Sequence, residues 1–322
     1  MHRLMALSTL LACTALASAA MANTAYVSNE KGNTISVIDL DKMETVATVP
    51  VGERPRGITL SHDNKLLYIC TSDADHIEVL DLDTLQVVQT LPSGPDPELF
   101  VLSRDGTMLY IANEDNNMVT VLDVTQGAIA GEIPVGVEPE GMAVSPDNTI
   151  LINTSETTNM AHFIDTTSHE VVDSVLVDSR PRYAEFTPDG KQVWVSSEIG
   201  GTVSVIDVAT RKVVKKIQFA IQGIRSDTIQ PVGVKITPDG KTAFVALGPA
   251  NRVAVVDVAT RKVERMMLVG QRVWNLALSA DGNRLFTTNG VSNDLSAIDI
   301  QSMRVLRSVP VGQAPWGVVV KP

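Results

Sequence analysis

The aspartate that ends the segment Val37-Ile38-Asp39 returns as Asp81, Asp123, Asp165, Asp207, Asp257 and Asp299, at intervals of 42 residues except for one of 50. Seven copies of one short unit leave few architectures open to the chain. Around each aspartate the unit reads as four alternating strands, as in Arg56 to Ser61, Leu66 to Thr71, His76 to Leu80 and Val87 to Leu91. Four short strands per unit match a propeller blade and not a pair of helices. Only 4% of residues are aromatic, while Val, Ile and Leu abound and Gly and Pro recur at regular spacing, as many short strands joined by tight turns require. The expected fold is all-β: a single seven-bladed β-propeller over residues 23–322.

The connections carry their own signals. Asp63, Asp105, Asp147, Asp189, Asp239 and Asp281 sit in S/T-x-D-G/N turns between first and second strands, where Gly or Asn supplies a positive φ. The seven recurring aspartates open the turn between third and fourth strands, where a carboxylate accepts hydrogen bonds from turn N–H groups. Seven-fold recurrence makes that role structural, not catalytic. The repeat begins with a second strand at Tyr26 and ends with a lone first strand, Pro315-Trp316-Gly317-Val318-Val319-Val320. The two ends are expected to complete one blade and close the ring, which removes the exposed edges of an open array.

The start of the chain combines a basic His2 and Arg3, an apolar run from Leu4 to Ala17 and small residues at Ala20 and Ala22. That pattern reads as a signal peptide over residues 1–22, cleaved after Ala22, and places the remainder outside the cytoplasm, in a periplasm. Leu10-Leu11-Ala12-Cys13 resembles a lipoprotein box with an unusual Leu at its second position, which leaves lipidation of Cys13 as the alternative. Cys70 then stands alone in an apolar run and reads as a buried strand thiol. No other stretch is long and apolar enough to span a bilayer. A net charge of −11 argues against nucleic acid or an anionic membrane as partner and leaves a cationic one.

The second strands read Tyr26-Val27-Ser28-Asn29, Tyr68-Ile69-Cys70-Thr71, Tyr110-Ile111-Ala112-Asn113, Trp194-Val195-Ser196-Ser197 and Phe286-Thr287-Thr288-Asn289, with V-G-x-x-P-x-G junctions at 51–57, 135–141 and 311–317. This resembles the YVTN β-propeller repeat family. A signal peptide followed by seven such repeats is most similar to the PQQ-dependent catabolism-associated β-propeller proteins. That resemblance implies a role beside PQQ-dependent alcohol oxidation and an associated transport system. The Trp-rich docking motif of PQQ dehydrogenases and the C-x-x-C-H of covalent haem are absent, and His62, His76, His162 and His169 are scattered, so no cofactor or metal is expected.

Positions alike in every unit maintain the blade; positions that differ at one end of the channel are candidates for a site. First strands line the channel of a propeller, so the residues after the junction prolines should form a ring at its mouth: Arg56, Glu98, Glu140, Arg182, Val232, Trp274 and Trp316. One arc is charged and the other apolar and aromatic. Such a ring suits an amphipathic ligand, gripped by Arg and stacked on Trp, or it pairs its own charges across the channel and plugs it with the two Trp residues. The single insertion, Gln218 to Ile229, lies on the same face as a lid or a lengthened loop, with Arg225 and Asp227 as its polar contributors. Glu30, Glu114, Glu156 and Glu198 follow the second strands and add negative charge there.

Three function classes follow. The first is a non-catalytic binding or scaffold module whose partner is a small ligand or a periplasmic protein such as a dehydrogenase, cytochrome or transporter component. The second is a propeller enzyme of lactonase or lyase type, with Glu98 or Glu140 as base and Arg56 or Arg182 as oxyanion partner. The third is a cell-surface interaction protein. The absence of a Ser-His-Asp set or a Cys-His pair with a local signature favours the first.

Overall fold

Seven four-stranded antiparallel sheets make up the computed structural model, which describes residues 23–322. The proposed signal peptide and Cys13 lie outside the described residues. One blade contains Pro55–Leu60, Leu66–Thr71, His76–Asp81 and Gln86–Pro92, paired in chain order from the channel outward. The ring closes as its ends predict: Pro315–Lys321 pairs with Thr24–Asn29, with Ala25 opposite Val320 and Val27 opposite Val318.

The turn aspartates do what their recurrence implies. Asp39 accepts from the backbone N–H groups of Asp41 and Lys42 at 3.0 and 2.9 Å, and Asp81, Asp123, Asp165, Asp207, Asp257 and Asp299 cap the equivalent turns. In the inner hairpins Asp63 accepts from Ser61 and from the Lys65 N–H, while Asn64 takes φ of 56°. These local bonds hold carboxylates such as Asp63, Asp105 and Asp281 below their usual range.

Because sheets stand edge-on around the channel, both faces of each blade are buried against neighbours, and seven apolar clusters fill the gaps between blades. Tyr26, Ile35, Val37, Leu67, Ile69 and Leu80 form one of them, and Trp194, Val205, Val234 and Val245 belong to another. Cys70 is fully buried in a third, where burial pushes its thiol pKa up. Outer strands such as Gln86–Pro92 are mostly exposed.

Two features of the first strands position the channel mouth. A β-bulge follows the junction residue in most blades, between Pro55 and Ile58, Pro97 and Phe100, Pro139 and Met142, and, where Val replaces the proline, Val273 and Leu276, and the extra residue re-aims the side chain that follows the junction. At the bulge, backbones of neighbouring blades nearly touch. A Cβ on Gly57 would lie 2.6 Å from the Glu98 carbonyl, and one on Gly317 would lie 2.6 Å from that of Arg56. Ser28 staples this second contact, donating to the Arg56 carbonyl at 2.6 Å and accepting from the Gly317 N–H at 2.9 Å.

Candidate functional site

The bulges carry Arg56, Glu98, Glu140, Arg182, Trp274 and Trp316 to one end of the channel, as the register predicts, while Val232 precedes a short first strand that pairs without a bulge. They do not leave an open mouth. Glu98 is 0% exposed, Glu140 and Trp316 1%, Arg182 3% and Arg56 7%. Arg56 hydrogen-bonds Glu98 and stacks over Trp316 at 4.8 Å; Arg182 pairs with Glu140 at 2.9 Å and with Glu156, and lies 5.8 Å from the Trp274 ring. The geometry is therefore that of a ring pairing its own charges, with Trp316 closing it from below.

A second layer of charge sits above this plug, on the residues that precede the junction prolines or, at Arg272, the valine in the same position. Arg54, Asp96, Glu138, Arg180 and Arg272 all adopt positive φ, between 48° and 58°, which non-glycine residues rarely do. Each donates its N–H to a side-chain oxygen one blade back: Asn33, Asp75, Asn117, Asn159 and Asn251, at 2.8 to 3.1 Å. In return their carbonyls accept from the residue after a second strand, as Glu114 N–H to Asp96 at 3.0 Å and Glu198 N–H to Arg180 at 2.8 Å. These left-handed residues aim their side chains at the ring. Arg54 bonds Asp96 and Glu98, both at 2.6 Å; Arg180 pairs with Glu156 at 2.8 Å; Arg272 pairs with Glu198 at 2.8 Å and stacks on Trp274 at 4.1 Å. The sequence reading passed over this outer layer, although the residue before each proline varies as sharply as the one after it.

Charge is unevenly compensated across the mouth. Burial pushes Glu98 upward, but Arg56 and Arg54 outweigh it and hold the carboxyl below its usual range. Glu140 goes the other way: burial, opposed by Arg182 and reinforced by Glu98, raises it well above that range, and its 2.9 Å contact with Arg182 is an ion pair without hydrogen-bond alignment. Glu114 makes no ion pair among the described residues; burial and the neighbouring Glu98 and Asp96 push it up to about 7. Asp96 rises to about 6 through burial and Glu98, against the pull of Arg54. Carboxylate oxygens of Asp96, Glu98 and Glu114 lie within 4.8 Å of one another, as do those of Glu114, Glu138 and Glu156. Oxygen donors at that spacing are of the type that holds a hard cation.

Arg225 and Asp227 stand apart from this network. They pair with each other in solvent, 84% and 60% exposed, while Phe219 and Ile229 anchor the insertion in the apolar cluster around Trp194. Gln230, the residue between the insertion and the junction proline, accepts from Arg272 at 2.7 Å. The insertion is thus packed into the apolar cluster shared by the two blades it connects.

Two family models match the chain: the seven-bladed lactonase β-propeller over residues 15–144, and the choice-of-anchor I domain over residues 119–311. No curated protein matches significantly. Among solved structures, Kuenenia stuttgartiensis hydrazine synthase shares 21% identity over 86% of this chain and 92% of its own, with a TM-score of 0.78. A functionally unknown protein from Desulfotomaculum acetoxidans shares 17% over 93% and 99%, with a TM-score of 0.78. A protein from Bacteroides uniformis described as a 6-phosphogluconolactonase shares 15% over 92% and 99%, with a TM-score of 0.76. At these identities the likeness is one of fold. With more than half of its length matched by the second family model, the chain belongs to the choice-of-anchor I domain family and is a seven-bladed β-propeller of the lactonase-like type.

Proposed function

We propose that this propeller is a non-catalytic binding module whose acidic mouth receives a cationic group of a partner protein. The observation that carries this reading is Glu114: a part-buried carboxylate between two carboxylate triads, with no cation of its own. The ring beneath is already neutralised and closed, so a substrate has no route to Glu98 or Glu140 from this side. A lysine or arginine set against Glu114 and Glu138 would gain the attraction that the protein leaves unspent, and the net charge of −11 would steer it there. A small basic cytochrome serves as the probe in a surface-binding measurement. Binding at low ionic strength that weakens steeply toward physiological salt, and weakens several-fold more in Glu114→Gln/Glu138→Gln, is the expected result. Salt-independent binding, or none, counts against the reading. The finer assignment, an accessory to PQQ-dependent alcohol oxidation in a periplasm, rests on the repeat resemblance. N-terminal sequencing that finds Asn23 first, and dehydrogenase and transport genes beside this one, would support it.

The match to the lactonase family model favours a second reading, hydrolysis of a sugar lactone. Glu98 is too acidic and Glu140 too enclosed to serve as its base. Glu114, at about 7 and reachable from solvent, has the right basicity. Release of acid from 6-phosphogluconolactone in a pH-stat, lost in Glu114→Gln, would establish this activity; a rate equal to the uncatalysed one would remove it.

A further inference from the structure

Below Trp316 the channel widens into a cavity of about 980 Å³ that opens at the opposite end of the propeller, among the inner hairpin turns near His62, Pro146 and Pro188. Its wall is formed by the later residues of the first strands. One register position supplies a residue from every blade to this wall. Five of these are small or apolar: Thr59, Val101, Ala143, Ala277 and Val319. The other two, on neighbouring blades, are Glu185 and Lys235. Lys235 Nζ donates to Glu185 Oε2 at 3.0 Å and lies 5.4 Å from the centre of the Tyr183 ring, one more lumen residue. Burial opposes the Lys235 charge, but Glu185 and Tyr183 outweigh it and hold the ammonium form. The side chains keep 28% and 21% of their surface exposed.

A blade does not need this pair, since the other five form the same four-stranded sheet without it. An ammonium carries three donors and a carboxylate about four acceptor sites, so the bonds of Lys235 to Glu185 and Tyr183 still leave each member of the ion pair with capacity for a further hydrogen bond. The pair is neutral overall and offers little net attraction to an ion. A hydroxyl group satisfies both partners at once, its O–H donating to Glu185 and its oxygen accepting from Lys235. Across the lumen Leu99, Val101 and Val319 present apolar surface to whatever carries that hydroxyl. We propose that the lumen is a binding site for a neutral, hydroxyl-bearing molecule with an apolar body, oriented by Lys235 and Glu185. The volume lies in the range of small-molecule sites.

Fluorine NMR with four matched probes tests this: para-trifluoromethylbenzyl alcohol, the corresponding toluene, the benzoate and the benzylammonium ion. The alcohol is expected to bind about tenfold more tightly than the toluene, the worth of its hydrogen bonds to a charged pair, and more tightly than either ion. That preference should vanish in Lys235→Met/Glu185→Leu, which removes both charges together and so leaves neither one buried alone. Thr59→Trp/Val101→Trp, which narrows the lumen across from the pair without touching it, should weaken alcohol binding several-fold and serves if the first double variant fails to fold. Equal binding of all four probes, tightest binding of the benzoate, an alcohol preference that survives the first double variant, or alcohol binding unchanged in the second would overturn the proposal.

Discussion

Glu114 and the turn aspartates pull the pH dependence of stability in opposite directions. Asp63, Asp105 and their counterparts have carboxyls lowered by local hydrogen bonds, so the stability they add is present above their unfolded pKa and is lost as pH falls through the folded one. Glu114 and Asp96 are raised, to about 7 and about 6. The folded state therefore holds more protons than the unfolded one between the ordinary carboxylate range and neutrality, and stability declines as pH rises through that window. The protein is expected to be most stable at mildly acidic pH. Glu114→Gln should flatten the decline and raise stability at pH 8 by about 1–2 kcal/mol relative to the parent, read from urea unfolding at pH 5 and pH 8. Parallel curves for parent and variant would remove Glu114 from the account. The position of this residue was legible in the sequence; its basicity was not, because that depends on Asp96 and Glu98 arriving from another strand.

At the scale of the strand, what was readable divides along the line between local and non-local bonds. Hairpin turns, recurring aspartates and the lone first strand at Pro315 are each set by contacts inside one blade or by the count of strands, and these the chain states outright. The plugging of the mouth was left open, since it depends on how far side chains such as Arg56 and Glu98, on adjacent blades, reach toward each other. The positive φ at Arg54 and Arg180 was hidden too: arginine has no preference for that conformation, and an asparagine one blade back, Asn33 or Asn159, imposes it. The closing strand yields its own prediction. Deleting residues 317–322 strips Thr24–Asn29 of its inner partner and removes the buried Val318, worth roughly 1.5 kcal/mol or more, together with the half-buried Val319 and Val320 and the ladder hydrogen bonds of the seam. Against a total stability of about 5–15 kcal/mol, the expected outcome is a melting temperature lowered by roughly 10 °C or more with a broadened transition. A truncated protein that melts within roughly 2 °C of the parent would show the seam to be dispensable.

Across the whole molecule the two ends of one channel carry different chemistry: an acidic, closed mouth above Trp316 and an open lumen with a neutral ion pair below it. Comparing like positions among blades finds both, and applied only to the residues beside the prolines it misses Glu185 and Lys235. At the residue after the mouth position the blades alternate small and large: Gly57, Leu99, Gly141, Tyr183, Gly233, Asn275, Gly317. A circle of odd size cannot alternate all the way round, and the mismatch falls between Gly317 and Gly57, where Ser28 bridges the two backbones. Parity thus ties blade number to sequence: one further repeat with a large residue at this position would let the alternation close without a fault.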